Sequence, residues 1–130
     1  MSQREQNNKI VLELNENNVE LFGDVAKKLA DEIAEEGRGQ TNKGTQIRKF
    51  YDAVLKLNQK AQNIRESEYK TKVYPFVVML KSKVAHAKAR KLVSKKFETM
   101  INECIVEAKT KEKMEIFKLF FEAFIGFYKK

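Results

Sequence analysis

The chain has 130 residues, 42% hydrophobic and 34% charged, with a formal net charge of +8. That length suits one domain with a buried core, and that balance excludes a disordered chain. No apolar run approaches the ~20 residues of a membrane span.

One proline and five glycines leave little to interrupt helices. With Lys, Glu, Ala, Leu and Phe prominent, an all-α fold is expected. The charge is uneven: residues 1–36 sum to −5 and residues 37–130 to +13. A basic body behind an acidic N-terminal segment points to a polyanionic partner, nucleic acid first; the plainer reading is that lysine-rich helices are well solvated. Cys104 is the only cysteine. It excludes an internal disulfide and a Cys-rich zinc site, and it fits a reducing cytoplasm.

Residues 1–16 are polar apart from Ile10, Val11, Leu12 and Leu14 and read as a flexible or extended arm, or a docking segment. The opening stretch MSQREQNNK lacks the apolar core of a signal peptide. A helical domain is expected over residues 17–130. Asn17 or Asn18 can cap its first helix, whose stripe is Phe22, Val25, Ala26, Leu29 and Ile33, with Gly37 as C-cap. GRGQTNKG, residues 37–44, is a glycine-rich turn. A second helix is expected from Thr45 as cap, with Ile47, Phe50, Tyr51, Val54, Leu57 and Ala61 inward.

Polar residues 63–67 mark a break before a third helical region over about residues 68–93. Pro75 starts or kinks a helix there, with Phe76, Val77, Leu80, Val84 and Ala87 forming the core face. Ser94 caps a fourth helix with Phe97, Met100, Ile101, Cys104, Ile105 and Ala108 inward. Thr110 caps a fifth, rich in apolar and aromatic residues from Met114 to Tyr128. Phe121, Phe127 and Tyr128 cannot share one face, so some of them are candidates to meet another subunit or an RNA base. Short connections favour antiparallel neighbours, hence a compact bundle of about five helices.

Gly39 to Gly44 has the GxxxxG spacing of a phosphate loop, but Thr45 stands where that motif needs a lysine, and a helix precedes it where the motif needs a strand. The stretch is therefore a turn, not a nucleotide site. The densest basic run, residues 81–96, holds Lys81, Lys83, Lys88, Arg90, Lys91, Lys95 and Lys96 and no acid. Lys83, His86 and Arg90 fall on one side of a helix, away from Val77, Leu80 and Val84. The small Ala85, Ala87 and Ala89 allow close approach to the backbone. A phosphate-contacting ridge is the favoured reading over a solvated face. His86, the sole histidine, has no metal or nucleophile partner visible in sequence, and Cys104 sits on an apolar stripe as a small hydrophobe. No acid–base or metal constellation appears, so neither an enzyme nor a cofactor is expected.

Three stretches resemble the small subunit of type III-A CRISPR effector complexes, the Csm small subunit. TQIRKFY, residues 45–51, looks like that family's Thr-Ser-Gln-Ile-Arg helix start. VAHAKAR, residues 84–90, is similar to its Leu-Ala-Tyr-x-x-x-Arg stretch, with His86 in the tyrosine's place. FKLFFEAFIGFY, residues 117–128, looks like its closing Phe-x-x-Phe-x-Glu-Ala-x-x-x-Tyr helix. The resemblance implies a non-catalytic, cytoplasmic subunit of a prokaryotic antiviral ribonucleoprotein. Several copies would stack to line the channel for guide RNA and target RNA, beside the backbone and large effector subunits and away from any membrane. Carried onto this chain, it makes Arg48 and Lys49, with Lys83, Arg90 and the neighbouring basic residues of the run, candidates for sequence-independent backbone contact. The rival readings are a helix-turn-helix DNA-binding regulator, with the helix after Gly44 reading bases, and a helical protein–protein adaptor.

Overall fold

The computed structural model describes residues 9–129, with helices and no strand among them. A π-helical turn, Leu21–Val25, leads into α1 (Ala26–Glu36). Then follow α2 (Gly44–Gln62), α3 (Glu66–Lys72), α4 (Tyr74–Val78), α5 (Leu80–Ala89), α6 (Lys95–Glu107) and α7 (Lys111–Phe127). The all-α expectation holds, and the third expected helical region is divided into α3, α4 and α5. Val73 causes the first division by leaving the helical conformation (φ −125°, ψ −49°) just before Tyr74 and Pro75 open α4. Proline there lacks an amide hydrogen that a first turn does not need. The second division is slight. Met79 keeps φ −61° and ψ −21°, and the Lys83 N–H donates to the Met79 carbonyl at 3.3 Å, so α4's helical register carries into α5.

The core is built on α7, which buries Met114, Ile116, Phe117, Phe120, Phe121 and Phe124 and lies along α2 and α1. Rings connect three helices: Phe50 of α2 meets Phe97 of α6 at 5.5 Å, and Phe97 meets Phe121 of α7 at 6.2 Å. α5 packs on α6. Cys104 is fully buried, and desolvation pushes its thiol well above the ordinary range, so it behaves as a hydrophobe. Two tyrosines fasten α3 and α4 to the end of α6. The Tyr69 hydroxyl donates to the Ala108 carbonyl at 2.7 Å, and the Tyr74 hydroxyl to the Ile105 carbonyl at 2.8 Å.

Of the expected arm, residues 1–8 lie outside the described residues. Residues beyond them are docked: Ile10 and Leu12 are buried, while Val11 and Leu14 are exposed. The Ile10 N–H donates to Glu103 Oε1 and the Leu12 N–H to Glu107 Oε1, each at 3.0 Å.

Two expected caps form, with Ser94 Oγ accepting from the Phe97 N–H and Thr110 Oγ1 from the Lys113 N–H. Gly37 is the C-cap of α1 as expected, its N–H donating to the Ala34 carbonyl at 3.2 Å, in an extended (φ −72°, ψ 126°) rather than a left-handed conformation. The remaining N-terminal caps differ. Neither Asn17 nor Asn18 caps the first helix. Asn18 Nδ2 instead donates to the Val11 and Glu13 carbonyls at 2.8 Å each, and Glu20 accepts from the Asp24 N–H in the π turn. Thr45 lies inside the first turn of α2, which starts at Gly44 with no side-chain cap.

The chain reversal before α2 belongs to Asn42, which is fully buried at φ +60°. Asparagine tolerates this left-handed region better than most residues. Both its backbone groups and both its amide atoms are bonded. Its N–H donates to the Leu92 carbonyl at 2.9 Å and its carbonyl accepts from the Tyr128 hydroxyl at 2.5 Å. Its Nδ2 donates to the Ile33 carbonyl at 3.0 Å and its Oδ1 accepts from the Ser94 N–H at 2.9 Å. Burial pushes the Tyr128 hydroxyl up to about 12, so it remains a donor at neutral pH.

Next to this knot, Lys91 also takes a left-handed conformation (φ +63°). The Leu92 N–H donates to the Ala87 carbonyl and the Lys91 N–H to the Lys88 carbonyl, both at 2.9 Å. This is the Schellman closure of α5, with lysine where glycine is preferred.

Three substitutions at these two backbone sites have expected effects on stability. Asn42→Ala strands the buried Ile33 carbonyl and the half-buried Ser94 N–H and places alanine at positive φ, so urea unfolding should show a loss of about 3 kcal/mol. Asn42→Gly should be milder by about 1 kcal/mol, because only the strain is removed. Lys91→Gly should stabilise by about 1 kcal/mol, read as a rise of a few degrees in Tm; an unchanged or lower Tm would show that Lys91 is not strained.

Candidate nucleic-acid interface

α5 buries Leu80, Val84 and Ala87 and exposes the rest. At about 100° per residue, the exposed Lys, His and Arg side chains divide into two flanks. Lys83, His86 and Arg90 lie on one side of the buried stripe, and Lys81 and Lys88 on the other. Ser82, Ala85 and Ala89 lie outermost between the flanks, while Ala87 is in the core, as its place on the expected core face requires, and is not open to close approach. The register carried through Met79 extends the first flank backwards. Phe76, Met79, Lys83, His86 and Arg90 follow at spacings of three and four, all of them exposed. Phe76, expected in the core, is 47% exposed, and Met79 is 50% exposed.

α2 carries a second stripe. Its buried positions are Ile47, Phe50, Val54, Asn58 and Ala61. Lys49, Lys56 and Lys60 share one line on the exposed side. Arg48 lies on the other side of that face, its guanidinium 5.9 Å from the centre of the Tyr51 ring. Sequence reasoning missed Lys56 and Lys60; their signal is spacing, Lys56 seven residues after Lys49 and Lys60 four after Lys56.

The two stripes are tied together at both ends. At one end Thr41 Oγ1 donates to the Lys91 carbonyl at 2.7 Å and the Asn42 N–H to the Leu92 carbonyl, joining the start of α2 to the close of α5. At the other end Lys60 Nζ stands 5.3 Å from the centre of the Phe76 ring. A cation on an exposed ring contributes about 0.5–1 kcal/mol. α2 therefore runs antiparallel to α4–α5, with cations along both.

The remaining basic candidates divide. Lys91 is exposed at the knot. Lys95, at the first position of α6, pairs with Glu98 at 3.7 Å. Lys96 turns toward α1, pairing with Glu32 at 3.2 Å. It helps line an open groove of about 690 Å³ between the N-terminal segment, α1 and α6, and does not join the ridge. Among the described residues, Arg48, Lys49, Lys56, Lys60, Lys81, Lys83, Lys88, Arg90 and Lys91 form no ion pair.

The C-terminal aromatics are mostly committed inward. Phe121 is buried, and Tyr128 stacks on Phe124 at 5.4 Å and bonds Asn42. Among the described residues no group of three or more His, Cys, Asp or Glu side chains is placed to hold a metal ion. No helix there is long and apolar enough to cross a membrane.

No curated protein and no solved structure matches this chain. The family model described as Csm2 Type III-A matches residues 16–130, which span the π turn, all seven helices and both basic stripes. With nearly the whole chain covered, this protein belongs to the Csm2 Type III-A family, the small subunit of type III-A CRISPR (Csm) complexes.

Proposed function

We propose that this chain is a non-catalytic RNA-binding subunit that grips the backbone of guide and target RNA without reading sequence. In this reading several copies stack beside the other effector subunits to line the RNA channel, in the prokaryotic cytoplasm and in antiviral defence. The observation that carries it is the set of exposed, unpaired cations on α2 and α5, held by two ties in one antiparallel frame. Phosphates are met by lysine and arginine wherever base identity is irrelevant, because counterion release supplies the affinity. A guide–target duplex is recognised by shape and charge, which such a surface suits. Lys83 and Arg90 sit centrally on the α5 flank; Arg48, steadied by Tyr51, and Lys49 supply the α2 side. His86 stands between Lys83 and Arg90 as a hydrogen-bonding neighbour.

The helix-turn-helix alternative is disfavoured by the connection of residues 37–43, longer than the three or four residues such a turn uses. It is also disfavoured by the burial of Ile47, Phe50 and Val54 on α2.

Charge reversal of the central pair, Lys83→Glu with Arg90→Glu, tests the proposal. Anisotropy titrations should show RNA affinity about tenfold or more weaker at low salt, with the salt slope reduced by roughly 1.4 for two lost contacts. Unrelated RNA sequences should be affected alike. Unchanged affinity together with unchanged assembly into the effector complex would remove the ridge from the interface.

A further inference from the structure

Phe76 is the one aromatic side chain among the described residues in the exposed class. Its backbone is firmly placed. Val73 and Val77 on either side of it are buried, Pro75 precedes it in the first turn, and the Tyr74 hydroxyl bonds the Ile105 carbonyl at 2.8 Å. An exposed ring on a rigid turn, with Met79 one turn further along the same face, loses little freedom when another flat group is laid on it.

Its electrostatic setting selects the partner. Lys60 Nζ lies 5.3 Å from the ring centre, and Lys83 and Arg90 continue the line along α5. Phe76 and Lys83 are separated by about 10 Å of helical rise, roughly three stacked nucleotides at about 3.4 Å each. Apolar protein surfaces do not call for cations in this arrangement; a polyanion with flat, stackable rings does.

We infer that Phe76 is a base-stacking platform for an unpaired nucleotide of single-stranded RNA whose backbone continues along Lys83 and Arg90. The inference rests on the RNA-binding reading and adds to it a site that prefers unpaired over paired nucleotides. Base–aromatic stacking outweighs an exposed cation–ring contact, so an arriving base displaces the Lys60 ammonium from the ring, and the ammonium then meets the adjoining phosphate.

The test is Phe76→Leu in the full chain, which keeps an apolar side chain and removes the π-face. The probes are a short single-stranded RNA containing a fluorescent purine analogue and the same RNA annealed to its complement. The wild type should quench the analogue in the single strand. Phe76→Leu should abolish that quenching and weaken single-strand binding about five- to a hundred-fold. It should leave the salt slope, the duplex affinity and Tm unchanged. If the wild type binds both RNAs and Phe76→Leu alters neither affinity nor quenching, the platform is wrong and the phosphate ridge stands. Equal losses for single strand and duplex would also overturn it. So would a change in self-association with RNA binding intact, which would assign Phe76 to a protein contact. If the wild type binds no RNA, the ridge and the platform fail together.

Discussion

The start of one basic helix and the end of the other are fixed together by one buried amide. Asn42 joins the end of α1, the turn after α5, the cap of α6 and the tail of α7 through four hydrogen bonds, and none of its polar atoms is left over. A buried polar group so placed has two regimes. Fully bonded, it specifies one arrangement of its neighbours; missing a partner, it costs more than it contributed. Helix α2 has no side-chain cap of its own. Its starting point is therefore set by Asn42, and with it the placement of Arg48 and Lys49 relative to Lys91.

The helices themselves were readable from the chain because their stripes are strong. Ile47, Phe50 and Val54 on α2, and Phe97, Ile101 and Cys104 on α6, repeat at helical spacing and are buried as that spacing requires. The caps at Ser94 and Thr110 were legible for the same local reason. The errors lie where distant residues compete with local ones. Thr45 is chemically suited to cap α2, but the turn is decided by contacts from Ile33, Leu92 and Tyr128, none of them near in sequence. Phe76 is apolar and expected beside Val77 on the core face, yet in the helix that restarts at Pro75 Val77 turns inward and Phe76 outward. Of the interface, the dense run of residues 81–96 was evident. That Lys96 would turn to Glu32, and that Lys60 would reach Phe76, needed the tertiary fold.

The cations carry a cost that the fold must absorb. Like charges along α5 and α2 repel one another; α5 carries no carboxylate, and on α2 Asp52 alone is exposed among the cations, without an ion pair among the described residues. What resists the repulsion lies underneath: the ring contacts between Phe50, Phe97 and Phe121, and the two tyrosine hydroxyls that hold α3 and α4 to α6. Acidic groups are instead concentrated on α1 and the segment before it, where Asp31 pairs locally with Lys27 at 2.8 Å and Glu32 and Glu13 reach Lys96 and Lys113 on other helices. The division of charge seen along the chain is thus also a division between helices.

The N-terminal segment obeys a different periodicity from the rest of the protein. Glu103 and Glu107 are four residues apart on α6, a rise of about 6 Å, while Ile10 and Leu12 are two residues apart in extended chain, about 6.6 Å. The two spacings nearly coincide, so the edge of a helix receives alternate amides much as the edge of a sheet would. Parity then governs the attachment. A shift by two residues would conserve the pattern of amides, whereas a shift by one would turn Glu13 inward and expose Ile10 and Leu12. A change of one residue between this segment and Leu21 must be absorbed in the polar turn of residues 15–18, because the docked segment accepts only even steps.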